Sequence, residues 1–196
     1  TAHSIVKEIY YNYYDVIPVY ITRNGEWIQG ETLLEPVKYS EFLRLTPGDT
    51  KQMALEKDQQ STGIIISPAE VKSDDAVIFP VLHGPNGEDG TVQGLFEVLD
   101  MPYVGCGVLA SAAGMDKIVS KQLFQQVGLP QVPYVPVTRF DWQNQQGKFL
   151  QRCEGSLIYP MFVKPANMGS SVGISKANDK DELLAAIEVA FEYDSR

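Results

Sequence analysis

VIFPVLHGPNGEDGTVQGLFEVL, residues 77–99, passes from an apolar run through a glycine-rich loop into a helix-like repeat. Val77–Leu82 has the length and composition of a strand buried on both faces, as in a sheet covered by helices. His83–Gly90 then places three glycines and a proline in eight residues, which predicts a tight loop with unusual dihedrals or close backbone approach. Val92, Leu95, Phe96 and Leu99 recur at i, i+3, i+4 and i+7, an amphipathic helix with Thr91 as its N-cap. Strand, loop and helix in this order imply an open α/β sheet, whose ligands bind at the carboxyl ends of the strands. His83, Glu88 and Asp89 stand at that edge. The same loop also reads as an ordinary connection whose acids favour a helix N-terminus.

The length of 196 residues points to one or two domains. Sixteen Lys and Arg against 25 Asp and Glu give a net charge of -9, which argues against nucleic acid as the main partner. A local basic pocket for a small anion stays open. No apolar run approaches the roughly 20 residues of a membrane-spanning helix, and no basic-then-apolar leader opens the chain. Cys106 and Cys153, without a CxxC pattern, read as reduced thiols of a cytoplasmic protein. Both ends read as cut: Ile5–Ile9 resembles the middle of a helix, and the chain stops after Glu192–Arg196, where a strand is expected.

Outward from the central stretch, residues 1–12 predict a helix. Tyr14–Thr22 predicts a strand, with Pro18 marking an edge or bulge. Asn24-Gly25 is a hairpin signal that returns Trp27-Ile28 antiparallel. A short helix is expected near Ser40–Leu45, a strand at Gly63–Ser67 and a strand-like run at Pro102–Val104. Gly105–Ala110 formally matches the dinucleotide fingerprint, but the acidic residue about 20 positions on is missing, so it reads as a turn leaving the first domain. Ser111–Val127 predicts one helix with Met115, Ile118, Val119, Leu123 and Val127 as its apolar stripe. Lys117 and Lys121 lie on another face and read as solvated. Gln131–Thr138 is extended, and Phe140–Glu154 is polar and ambiguous.

A second chemical stretch begins at Tyr159, where an apolar run ends in Lys164-Pro165. Gly169-Ser170-Ser171 lies between two strand-like runs, a hairpin with a small-residue tip. Such a tip exposes backbone N–H groups and hydroxyls that can wrap a phosphate, or is simply flexible. Lys164, at the end of a buried strand, would need an anionic partner. Asn178 or Asp179 caps a last helix that faces a core with Leu183, Leu184, Ile187 and Phe191.

HGPNGEDGTVQGLFE at 83–97, GVLASAAGMDKIVSK at 107–121 and FVKPANMGSSVGI at 162–174 occur in this order, and together they resemble the D-alanine–D-alanine ligases of the ATP-grasp superfamily. The resemblance runs essentially from Thr1 to Arg196. It implies an α/β protein: a doubly wound N-terminal domain at 1–106, then an incomplete α+β ATP-grasp domain at 107–196. It casts His83 as a group holding the first D-alanine, with Glu88 supporting that hydrogen-bond network. Lys117 and Lys164 would contact the phosphates of ATP, and Gly169, Ser170 and Ser171 would close over the γ-phosphate. Ser170 and Lys164 would be catalytic, Ser170 also orienting the substrate amine. Two Mg²⁺ ions are implied, with their protein ligands outside this chain, as are the adenine-reading hinge and a glutamate for the first amine. By itself this stretch is therefore expected to be inactive. The parent enzyme would make D-alanyl-D-alanine for peptidoglycan, hence cell wall and cell shape, as a homodimer joined through the N-terminal domain. A D-alanine–D-lactate ligase and a non-catalytic phosphate-binding module are the alternatives.

Overall fold

The computed structural model describes residues 1–194, in two compact units, Thr1–Val77 and Ile78–Arg196. The first unit opens with α1, Ala2–Glu8, shorter than the expected 1–12 because Ile9 is already extended at φ -72° and ψ 142°. Val6 is its buried residue and joins Leu33, Val37, Phe42 and Ala54 in one core. Four short strands follow: β1 Val19–Ile21, β2 Trp27–Gln29, β3 Leu45–Pro47 and β4 Ser61–Ile66. They form a mixed sheet in the order β1-β2-β4-β3, with only the β3–β4 pair parallel. The Asn24-Gly25 turn forms as its sequence predicts. Gly25 takes φ +84°, and Thr22 N–H donates to the Glu26 carbonyl at 2.9 Å. Pro18 precedes the edge strand β1, where its missing N–H costs no ladder bond. The helix expected near Ser40–Leu45 is a single 3-10 turn, Ser40–Leu43, running into β3.

The central apolar run begins at the last residue of the first unit and is not a buried strand. Val77 and Phe79 are exposed, and Ile78 makes one parallel bridge to Tyr103. Ile78 N–H donates to the Pro102 carbonyl at 2.9 Å, and Val104 N–H to the Ile78 carbonyl at 2.8 Å. The next donor on one side would be Pro80 and on the other Pro102. Neither has an N–H, so the ladder stops in both directions. Hydrophobicity alone did not reveal that the two proline positions fall in register.

α2, Thr91–Val98, does form, but its N-cap is Gly90 rather than Thr91. Gly90 stands at φ +92°, and a Cβ there would lie 2.7 Å from the Val108 carbonyl oxygen, so only glycine fits. The helix expected at 111–127 is two helices, α3 Val108–Met115 and α4 Lys117–Gln126. Asp116 breaks them with extended dihedrals, and Leu123 and Val127 of the anticipated stripe remain exposed. Residues 139–156, ambiguous from sequence, are α5, Arg139–Ser156, kinked at Gln145. The hairpin forms from β5 Met161–Val163 and β6 Ser175–Ala177, antiparallel. α6, Lys180–Tyr193, covers this pair, and Asp179 caps it by accepting the Glu182 N–H. Trp142, Phe149, Leu150 and Cys153 of α5 pack with Met161, Leu183, Ile187 and Phe191 in the main core of this unit. Among the described residues no helix is long and apolar enough to cross a membrane.

Candidate active site

The loop between the central run and α2 is held by its own acids. Glu88 Oε2 accepts the Gly84 N–H at 2.5 Å, and its Oε1 lies 4.0 Å from His83 Nδ1. Asp89 accepts the N–H groups of Asn86 at 2.8 Å and Thr91 at 3.0 Å. Burial works to raise the Asp89 carboxyl, but those donors outweigh it and hold the group below its ordinary range. His83 and Glu88 are both well exposed, so the pair is open to a ligand. α2 packs on α3, and α3 on α4, which carries Lys117 at its first position. The loop and the first lysine thus belong to one packed series.

Asp116 starts α4 by accepting the N–H groups of Ile118 at 2.9 Å and Val119 at 3.0 Å while itself buried. Asp is a favoured N-cap residue, but the apolar repeat runs from Met115 past Asp116 and hid this helix start. Asp116→Ala is expected to lower stability by about 1–2 kcal/mol in urea unfolding, with Asp116→Asn recovering most of it.

From this capped start the Lys117 backbone N–H donates to the Ala166 carbonyl at 2.9 Å. Its ammonium reaches the carbonyls of Ala166 and Met168, immediately before Gly169. Asp194, just past α6, holds the same segment through the Asn167 N–H at 2.7 Å and side-chain amide at 3.2 Å. No sequence pattern announced that anchor. Burial first, and then the charge of Lys164, push the Lys117 ammonium below its usual range, against Asp194 and Asp116. A lysine whose pKa falls on folding opposes folding while protonated, so its contribution improves as pH rises toward 10.5. An added anion would relieve the same tension.

Lys117 and Lys164 line one cleft of about 600 Å³, within the range of small-molecule sites. Its apolar wall comes from the extended Val135–Val137, from α5 and α6, and from the β5 hairpin strand, with Phe162 among them. Lys121, read as solvated, also faces the cleft and stands over the Tyr134 ring at 4.8 Å. Lys164 is exposed, contrary to the expectation of a buried strand end. α6 packs on the β5–β6 pair and Met161 is buried, while Phe162 and Lys164, two apart in sequence, are both open. Gly169 is half-buried, while Ser170 and Ser171 are exposed with φ of 51° and 63°. That left-handed pair follows directly on the segment held by Lys117. Cys153 is on the cleft floor, its thiol pushed up by burial to about 11, so it stays protonated. Among the described residues no group of three or more His, Cys, Asp or Glu side chains could hold a metal ion.

Comparison with known proteins accounts for both halves. The family profile of the D-ala D-ala ligase N-terminus matches residues 1–106, and that of the D-ala D-ala ligase C-terminus matches 123–196. The D-alanine–D-alanine ligase of Enterococcus faecalis is 54% identical over all of this chain, which covers 55% of that protein. The enzyme so named from Enterococcus gallinarum is 52% identical, again over the whole chain and 58% of the relative. Among solved structures, the VanG D-Ala:D-Ser ligase of Enterococcus faecalis superposes with a TM-score of 0.75 at 35% identity, over 99% of this chain and 55% of the other. The D-alanine–D-alanine ligase of Coxiella burnetii gives 0.74 at 26% identity, over 99% and 56%. These matches define an α/β protein with an N-terminal domain followed by part of an ATP-grasp domain. The chain belongs to the D-alanine–D-alanine ligase family, and it spans a little over half the length of the relatives it matches.

Proposed function

We propose that the protein containing this sequence joins two D-alanine molecules in an ATP-dependent reaction, giving D-alanyl-D-alanine for the bacterial cell wall. In this reading residues 1–106 are the substrate-binding N-terminal domain and 107–196 the central part of the ATP-grasp domain. The observation that carries it is the cleft in which Lys117 and Lys164 meet an apolar wall, with Lys117 fixed to the backbone that leads into Gly169-Ser170-Ser171. Lysines and an apolar wall in one cleft suit a nucleotide, phosphates at Lys117 and Lys164 and base against the wall. Lys117, whose ammonium is disfavoured by burial and by Lys164, gains from a polyphosphate beside it.

The carboxylate of the first D-alanine attacks the γ-phosphorus of ATP, forming D-alanyl phosphate and releasing ADP. The amine of the second then attacks the acyl carbon and loses a proton, and the tetrahedral intermediate expels phosphate. Lys117 and Lys164 stabilise charge building on the transferred phosphoryl group, with Gly169, Ser170 and Ser171 closing over it. Ser170 also orients the substrate amine. Closure excludes water that would hydrolyse the acyl phosphate. His83, steadied by Glu88, holds the first D-alanine. Mg²⁺ would neutralise phosphate charge when bound, but the described residues offer it no carboxylate cluster, and none of these steps is assigned through it. The enzyme acts in the cytoplasm as a homodimer joined through its N-terminal domain.

Phosphate release from ATP by the complete reading frame, with D-alanine, D-lactate or D-serine as second substrate, tests the proposal. Release dependent on D-alanine, with alanyl-alanine as product, supports it. A preference for D-lactate or D-serine would reassign the second substrate. A folded protein inactive with all three would favour the phosphate-binding module.

A further inference from the structure

Gln93 is the third residue of α2, and its side chain is only 7% exposed. Its Nε2 donates to the Gly87 carbonyl at 3.0 Å. Its Oε1, also buried, has no hydrogen-bond partner among the described residues. Turning the amide over would set two carbonyl oxygens against each other, so the chemistry fixes its orientation. A buried amide with an orphan acceptor does not favour folding, because an unmatched polar atom loses its water without replacement. The bond to Gly87 joins α2 to the loop, and its value lies in where it holds that loop.

The far end of that bond shows what it controls. The Gly87 carbonyl belongs to the peptide that leads into Glu88, and Glu88 holds both the Gly84 N–H and the neighbourhood of His83. Gly87 is also pressed against the central run, since a Cβ there would lie 2.6 Å from Leu82 Cβ. Leu82 limits the peptide from one side, its Glu88 N–H donates to the Gly84 carbonyl at 3.0 Å, and Gln93 holds its carbonyl from α2. Rotation of this peptide would carry the Glu88 carboxylate away from both Gly84 and His83. We infer that Gln93 is a positioning residue for substrate binding, holding Glu88 and His83 through the Gly87 carbonyl in the arrangement that receives the first D-alanine. This rests on the ligase reading of His83.

Gln93→Met, Gln93→Glu and His83→Ala in the complete protein provide the test, each with KM for D-alanine, KM for ATP and thermal unfolding. Gln93→Met removes the orphan Oε1 but leaves the Gly87 carbonyl unpaired, so the unfolding midpoint should stay within about 3 °C of the parent. KM for D-alanine should rise by about 10-fold or more, as for other groups that orient a binding residue, with KM for ATP within about 2-fold. Gln93→Glu keeps the shape, yet only its protonated form can donate to Gly87. Burial raises a carboxyl pKa, so its deficit relative to the parent should shrink between about pH 8 and about pH 6, while that of Gln93→Met should not. An unchanged D-alanine KM in Gln93→Met overturns the inference. So does an equal loss in kcat and both KM values with a collapsed midpoint, or a pH-independent deficit in Gln93→Glu. If His83→Ala raises the D-alanine KM while the Gln93 variants are silent, only the Gln93 inference fails. If His83→Ala is silent as well, the substrate role of His83 falls and the inference with it.

Discussion

Lys164→Ala in the complete protein is expected to lower kcat/KM for ATP by about 10²–10³-fold, the range seen when one donor to a developing oxyanion is lost. Lys164 follows directly on β5, lines the cleft and is exposed, so its removal leaves no cavity in the core. The unfolding free energy should therefore change by no more than about 0.5 kcal/mol. Its charge is what the site loses. With the neighbouring cation gone, the Lys117 ammonium regains part of its ordinary proton affinity, so the optimum for nucleotide binding should extend to higher pH. Lys164→Arg should recover part of the activity, since charge is kept while the planar fork reaches differently. Steady-state kinetics with a circular-dichroism melt decide the matter. Near-parental kinetics in a folded Lys164→Ala protein would remove this lysine from the phosphate site.

Gly63→Ala is expected to cost about 3 kcal/mol of stability. Gly63 lies within β4, where a Cβ would stand 2.5 Å from the Gln29 carbonyl oxygen and 2.7 Å from Ile28 Cγ2. Ile28 is fully buried, and Gln29 is paired with Ile64 in the β2–β4 ladder. A backbone oxygen cannot turn aside as a side chain can. β2 must shift, loosening the antiparallel pairing and the packing of Ile28 together. Gly25→Ala provides the contrast. Gly25 has φ +84° with open space around its missing Cβ, so only the left-handed dihedral opposes alanine, at about 1–2 kcal/mol. Urea unfolding of both variants separates steric from conformational cost, and equal losses would contradict the close approach at Gly63.

What the sequence made legible was short in range. The Asn24-Gly25 turn depends on residues within the turn itself, and the hairpin from Met161 to Ala177 on two strand-like runs that flank one connection. The Asp179 cap was likewise visible, because a cap acts on N–H groups two and three positions on. The failures came from partners distant in sequence. Whether Val77–Leu82 could extend a ladder depended on Pro102 falling opposite it. Whether Thr91 or Gly90 capped α2 depended on the carbonyl of Val108. Asp116 was read inside a continuous helix because the apolar repeat runs past it, although its side chain was suited to begin a new one. α5 was missed for a different reason. Its buried residues, Trp142, Phe149, Leu150 and Cys153, fall at i, i+7, i+8 and i+11, a helical spacing obscured by the polar stretch around the kink at Gln145.

The candidate site divides along the same line. His83, Glu88, Lys117, Lys164 and the Gly169–Ser171 tip stood out through residue type and the family resemblance. The joining of Lys117 to the Ala166–Met168 backbone required the fold. Asp194 carried no motif, and Gln93, though inside the 83–97 block, was given no role, since each acts by accepting from or donating to a backbone group of another element.

The most direct test of the proposed chemistry follows oxygen. D-alanine labelled with ¹⁸O in its carboxylate is supplied with ATP and Mg²⁺ to the complete protein, and the released phosphate is examined by mass spectrometry. Attack of that carboxylate on the γ-phosphorus requires one labelled oxygen to leave with the phosphate as the peptide bond forms. Unlabelled phosphate, with both labelled oxygens accounted for in alanine or its products, would contradict an acyl phosphate and the ligase account with it.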